Sequence, residues 1–179
     1  MRTPHDIKRV AVLGAGLMGH GIALELAAHR RSVCLHDVSE QLLDKAIVHT
    51  RVGLKALHQA GLISFDEIEA SISRISTSLD LSETVEDADL VIEAVSENLD
   101  LKRSLFHKVD RIAPAHAVLV SNTSTFLPSA LAVATQRPLQ FAGVHYYNPP
   151  HLLPGVEIIK GPETSDETVQ LLTGFYQMI

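Results

Sequence analysis

His145 and Glu157 are the residues whose types and spacing point most directly to chemistry in this sequence of 179 residues. His145 lies near the end of the run Gln140 to Tyr147, and Glu157 lies in the next run, Gly155 to Ile159. Both runs read as short strands joined by a loop, which lets the two side chains face each other. A carboxylate on one imidazole nitrogen fixes the tautomer and stabilises the imidazolium. The other nitrogen then takes a proton from a substrate hydroxyl as hydride leaves for a nicotinamide. Taken alone, a strand histidine is more often a structural residue, so the pair gains meaning only beside a cofactor site.

Such a site is written at the other end of the chain. Arg9-Val10-Ala11-Val12-Leu13 runs into Gly14-Ala15-Gly16-Leu17-Met18-Gly19, and a helical pattern follows from Leu17. This order reads as a buried parallel strand, a tight turn and a helix N-terminus. Gly14 allows the turn, Gly16 lets the backbone approach a pyrophosphate, and Gly19 packs helix against strand. The free N–H groups and positive dipole end of the helix then face phosphates. A second strand, Ser32 to His36, ends in Asp37, 18 residues past Gly19. An acid there accepts the ribose hydroxyls and repels a 2′-phosphate, so the expected cofactor is NAD rather than NADP. The residues after Asp37 are Val38, Ser39 and Glu40, with no Arg among them. The alternative is that the glycines serve only an α/β turn.

Composition narrows the remaining classes. Hydrophobic residues make up 46% of the chain, enough for a full core, and the net charge of −6 argues against a nucleic-acid surface. The single cysteine, Cys34, falls in a predicted buried strand and reads as a small core residue, with no disulfide framework. Met1 to Arg9 has no apolar targeting region, and no apolar run approaches the roughly 20 residues of a membrane span. A cytosolic location is expected, with neither membrane nor nucleic acid as partner. None of the ten histidines has the H-E-x-x-H or Cys/His spacing of a zinc site, so no metal is expected.

The intervening elements alternate. A long helix from about Ser39 to Ala60 has Leu43, Ile47, Leu54 and Leu57 on its inner face. Arg51, Lys55 and His58 run beside that stripe, read as a solvated face in preference to a ridge for a phosphorylated handle. After Gly61, Phe65 to Arg74 forms a second helix packed back on the first. Ile75 to Leu79 is a weak strand and Asp89 to Val95 a strong one. A helix follows over Leu99 to Ile112, its apolar face being Leu101, Leu105, Val109 and Ile112. Ala117 to Ser121 is the next strand, which points Asn122, Thr123 and Ser124 into the crevice at its carboxyl end. The expectation is one α/β domain over 1–179: a Rossmann-type, doubly wound, mostly parallel sheet with a helical hairpin excursion after the second strand. Thr164-Ser165-Asp166-Glu167 has the form of a capping box and starts a last helix with Val169, Leu172, Tyr176 and Ile179 on one side.

Four stretches together resemble one family. They are Val12 to Gly19, Ile92-Glu93-Ala94-Val95-Ser96-Glu97-Asn98-Leu99, Ser121-Asn122-Thr123-Ser124, and Phe141 to Pro150. In order and spacing they are similar to the NAD-binding domain of the L-3-hydroxyacyl-CoA dehydrogenases, over essentially the whole chain. The resemblance implies NAD-dependent oxidation of the 3-hydroxyl of a 3-hydroxyacyl-CoA in fatty-acid metabolism. It implies His145 as base, Glu157 as its partner, and Ser124 and Asn148 on the substrate. Gly14, Gly16, Leu17, Met18, Gly19, Asp37, Ala94, Val95, Glu97, Lys102 and Asn122 would hold the cofactor. Ser124 and Asn122 would hydrogen-bond the substrate oxygen and the nicotinamide side.

Two departures leave alternatives open. Before Glu157 stands Leu153-Pro154-Gly155, where the family usually has a basic and an aliphatic residue. The run from Asn148 to Pro154 is closer to relatives that oxidise non-CoA hydroxy acids, such as carnitine and gulonate dehydrogenases and lambda-crystallin. The family also has a C-terminal helical domain that closes the cleft, makes the dimer and supplies a further catalytic Asn, and that domain is absent from this sequence. A third reading is therefore an NAD-binding module without turnover. Without the helical domain, the stripe Val169, Leu172, Tyr176 and Ile179 and the open cleft wall are expected to stay exposed and to drive formation of a homo-oligomer through the C-terminal helix or the substrate-side face.

Overall fold

Val10 and Val12 point to one side of the strand Arg9–Leu13 (β1), Ala11 and Leu13 to the other, and all four are buried. A strand apolar on both faces needs helices on both faces, and that requirement organises the chain. In the computed structural model, which describes residues 2–153 and 155–179, β1 is followed by Leu17–Ala28 (α1), Ser32–His36 (β2), Glu40–Gln59 (α2), Phe65–Ser73 (α3) and Ile75–Ser78 (β3). Then come Leu81–Val85 (α4), Leu90–Glu93 (β4), Leu99–Ile112 (α5), Val118–Ser121 (β5) and Pro128–Ala132 (α6). Phe141–Tyr146 (β6), Val156–Ile159 (β7) and Asp166–Tyr176 (α7) complete it. Pro154, part of the Leu153-Pro154-Gly155 departure, and Met1 lie outside the described residues.

The strands form one sheet in the order β3-β2-β1-β4-β5-β6-β7, parallel except for β7, which pairs antiparallel with β6. The order reverses between β1 and β4, where a doubly wound sheet opens its ligand crevice. On one face, residues of α1, α2 and α7 pack in a core with Ile22, Leu26, Leu43, Leu172 and Phe175. On the other, α4, α5 and α6 bury Val85, Phe106, Val109 and Leu131. Among the described residues no helix is long and apolar enough to cross a membrane. The expected hairpin excursion is present as α2 and α3, and Leu54, Leu57 and Ile68 pack it with Leu24 of α1.

The structure alters four expectations. The stripe of the last helix is not left open: Leu172 is fully buried, and Tyr176 and Ile179 pack against the main core. Most of the C-terminal stripe invoked for self-association is therefore packed on the chain's own core, while Val169 is outside that cluster. The cap of α7 is Ser165, which accepts from Thr168 N. Thr164 turns inward instead and donates to Phe141 O at 2.6 Å. Cys34 is half-buried rather than core. On α5 the buried face is Lys102, Phe106 and Val109, while Leu101 is 47% exposed. The short helices α4 and α6 were not foreseen, because five residues are too few to show a 3.6-residue period. Of the basic ridge, Arg51 pairs with Glu69 across the hairpin and His58 Nδ1 bonds Ile63 O at 3.1 Å, which supports the solvated-face reading.

Candidate active site

The carboxyl ends of β1, β2, β4, β5 and β6 converge on one cleft of about 750 Å³. All the residues expected at the site line it except three. Thr123 is buried, with its hydroxyl donated to Glu97. Glu157 stands behind His145, and Gly19 packs behind Gly14.

The glycine turn shows why Gly14 and Gly19 are fixed. Gly14 has φ +103, a conformation that side chains with a Cβ resist, and an added Cβ would also approach Ala94 O at 2.7 Å. At Gly19 a Cβ would collide with the Gly14 carbonyl oxygen. Gly19→Ala must push α1 off β1, an overpacking against backbone that should cost at least about 1–3 kcal/mol. A drop in Tm read by circular dichroism checks this, and an unchanged Tm would show that the turn gives way freely.

The N-terminus of α1 differs from those of α2, α3, α4, α5 and α7, and shares its lack of a side-chain cap with the five-residue α6. Ser39, Ser64, Asp80, Asn98 and Ser165 each accept a hydrogen bond from a first-turn N–H of α2, α3, α4, α5 and α7. α1 starts at Gly16 with no side-chain cap, and Gly16, Leu17 and Met18 line the cleft. A Cβ built on Gly16 meets nothing within 4 Å. Free N–H groups, the positive end of the helix dipole and open space fit the pyrophosphate of a dinucleotide. Asp37 sits one strand over. Its Oδ2 accepts Ala15 N at 2.9 Å and its Oδ1 accepts Ser39 N at 3.0 Å, which ties the glycine turn to the end of β2. Each oxygen keeps lone-pair capacity for ribose hydroxyls.

At the far end of the cleft, His145 and Glu157 are register partners on β6 and β7. Antiparallel partners place their side chains on the same face of the sheet, and His145 Nδ1 meets Glu157 Oε2 at 2.9 Å. That contact, with help from the Tyr147 hydroxyl, holds the Glu157 carboxyl below its usual range. Its carboxylate form is therefore present through neutral pH, and this stabilising contact is lost only as the pH falls through the lowered value. The Tyr147 ring stands edge-on to the imidazole, 5.4 Å between centroids. With Nδ1 engaged, Nε2 is the nitrogen left for a substrate. Asn122 accepts Tyr146 N on its Oδ1 at 2.9 Å, which leaves its NH₂ as a donor. Ser124 is exposed at the cleft, and its N–H donates to Glu97 Oε1 at 3.2 Å.

Sequence reasoning missed Glu93, which is fully buried at the end of β4 and bonded to Lys102, Ser121 and Val95 N. The available signal was a carboxylate closing an otherwise apolar strand. It also missed His36 and Tyr147 among the residues lining the cleft. Leu101, expected in the core, lines the cleft instead, while Leu105 packs against the core and also borders the cleft.

Residues 9–179 match the family model described as 3-hydroxyacyl-CoA dehydrogenase, NAD binding domain. The mitochondrial hydroxyacyl-coenzyme A dehydrogenase of Rattus norvegicus is 40% identical over 174 residues, covering 94% of this chain and 55% of that protein. The crystal structure of 3-hydroxybutyryl-CoA dehydrogenase from Escherichia coli superposes with TM-score 0.92 at 33% identity, over 96% of this chain and 36% of that one. A diketoreductase structure, solved in work on dual catalysis of dicarbonyl compounds, gives TM-score 0.91 at 34% identity, over 99% of this chain and 62% of that one. The chain spans about half the length of the mammalian curated relatives it matches.

Proposed function

The chain belongs to the 3-hydroxyacyl-CoA dehydrogenase family, as its NAD-binding domain, and from that premise we propose that it serves NAD-dependent oxidation of the 3-hydroxyl of a 3-hydroxyacyl-CoA in fatty-acid metabolism. The observation that carries the proposal is the His145–Glu157 pair at one end of a cleft whose other end is the uncapped N-terminus of α1. NAD, when bound, accepts the hydride from the carbon bearing the hydroxyl. His145 takes the hydroxyl proton on Nε2, while Glu157 keeps Nδ1 protonated and the ring aligned. The Ser124 hydroxyl hydrogen-bonds the substrate oxygen, the Asn122 NH₂ faces the nicotinamide side, and Asn148 lies beside the base at the cleft. Gly16, Leu17 and Met18 receive the pyrophosphate through their N–H groups, and Asp37 receives the adenosine ribose.

Calorimetric titration with NAD⁺ and NADP⁺ tests the cofactor half. NAD⁺ binds and NADP⁺ does not, because Asp37 repels a 2′-phosphate and Val38, Ser39 and Glu40 supply no cation to hold one. Asp37→Ala weakens NAD⁺ and narrows the gap. Equal affinity of the unaltered chain for both cofactors would sink the assignment. For the substrate half, 3-hydroxybutyryl-CoA with NAD⁺ should yield NADH slowly. The dyad is open to water, with 26% of the His145 and 54% of the Glu157 side chain exposed, and a full rate calls for an element that covers it.

A second reading has its own support. The diketoreductase likeness extends over nearly the whole chain, and the sequence run from Asn148 to Pro154 is closer to relatives that oxidise non-CoA hydroxy acids. Oxidation of a non-CoA hydroxy acid would give NADH from a free hydroxy acid and none from the CoA ester. A cytosolic location is part of the proposal.

A further inference from the structure

Glu93 and Ser121 do not line the cleft, yet both are essentially fully buried directly beneath it, at 0% and 1% exposure. They close the ends of β4 and β5, adjacent strands on the side of the sheet away from Asp37. Because the pyrophosphate sits at the end of β1 and the adenosine ribose at β2, the second nucleotide of a dinucleotide falls over β4 and β5. The loops that meet it are 94–98 and 122–124.

One carboxylate links the bases of both loops. Glu93 Oε1 accepts Val95 N at 2.8 Å and Lys102 Nζ at 2.6 Å, and Oε2 accepts the Ser121 hydroxyl at 2.5 Å. From there two routes reach Ser124. In the first, Ser121 Oγ accepts Thr123 N at 3.3 Å. In the second, Lys102 Nζ also donates to Val95 O at 3.1 Å and pairs with Glu97 Oε2 at 3.5 Å. Glu97 then accepts the Thr123 hydroxyl at 2.9 and 2.7 Å and Ser124 N at 3.2 Å. The bonds from Lys102 and Ser121 to the Glu93 carboxylate are buried, and in such low-dielectric surroundings a network holds its members in one arrangement.

We propose that Glu93, acting with Ser121, is a positioning residue that presets the nicotinamide half of the cleft by fixing the loops 94–98 and 122–124, while the adenosine half is set independently by Asp37 and the glycine turn. The proposal rests on the NAD reading above. It assigns to a buried carboxylate what no contact with the cofactor would reveal.

The test separates the two halves of the ligand. Glu93→Gln and Ser121→Ala chains are titrated calorimetrically with NAD⁺ and with ADP, which has the adenosine and pyrophosphate but no nicotinamide. NAD⁺ affinity falls about tenfold, the scale of one misplaced hydrogen bond, and ADP affinity stays within about twofold. A residue that only stabilised the fold would move both ligands or neither. Ser121→Ala keeps the test decisive if Glu93→Gln fails to fold, since it removes one hydroxyl and no charge. Unchanged NAD⁺ affinity in the variants, or equal loss for NAD⁺ and ADP, overturns the proposal. An unaltered chain that binds ADP but gains nothing from the nicotinamide overturns the cofactor reading itself.

Discussion

His145→Gln should lower kcat with 3-hydroxybutyryl-CoA by roughly 10²–10⁴-fold, the worth of a positioned proton acceptor. Glutamine has similar volume and still reaches Glu157, so the strand pair and the cleft wall are kept. It has no nitrogen that takes a proton at neutral pH. NAD⁺ affinity should therefore hold, because the pyrophosphate site lies at the other end of the cleft. Single-turnover formation of NADH, with calorimetry on the same sample, reads both quantities. A variant with an unchanged rate would remove the base from His145 and leave the dyad a structural pair joining β6 to β7. Glu157→Gln should fall less far, since the base remains and only its tautomer and alignment are disturbed.

Lys102→Met is expected to be the most destabilising single change that leaves the backbone alone. Lys102 and Glu93 have side-chain exposures of 1% and 0%. Methionine matches the lysine stem, so no cavity opens. It leaves a buried carboxylate with the Val95 N–H and the Ser121 hydroxyl but no countercharge. Breaking a buried pair from one side costs roughly 3–5 kcal/mol. Against a domain stability of about 5–15 kcal/mol this is a large fraction. The midpoint of urea unfolding should shift accordingly. The double variant Glu93→Gln/Lys102→Met should recover much of the loss, because neither charge is then stranded. If Lys102→Met unfolded no more readily than a surface substitution, water must reach the pair. If the double variant lost the sum of both single changes, the two residues would not be coupled.

Much of the site was legible in the sequence because local rules specify it. The turn at Gly14 needs a positive φ, α1 needs an open N-terminus, and Asp37 follows β2 directly. All three requirements act within one strand–turn–helix–strand unit. The pairing of His145 with Glu157 was legible for a related reason. Two short strands joined by a loop fall into antiparallel register, and that register puts the two residues opposite each other. The alternation of strand and helix likewise determined the parallel sheet, since apolar strands such as Arg9–Leu13 and Val118–Ser121 demand cover on both faces.

Tertiary structure decided what depends on partners far apart in the chain. On α5 the apolar stripe of Leu101 and Leu105 pointed to the core by pattern, yet Lys102 is buried and Leu101 is exposed at the cleft. Hydropathy assigns a lysine to solvent because a lone ammonium loses its hydration on burial. That cost is offset only when a carboxylate nine residues away, at the end of β4, meets it at 2.6 Å. The last helix gives the same lesson from the apolar side. Its periodic stripe is the same whether exposed or covered, and only its packing on the sheet brings Leu172 and Phe175 into the core. Local propensity and period act over a few residues and are written in the sequence. Compensation of a buried charge and cover for an apolar face act across the fold, and they exist only once distant segments have met.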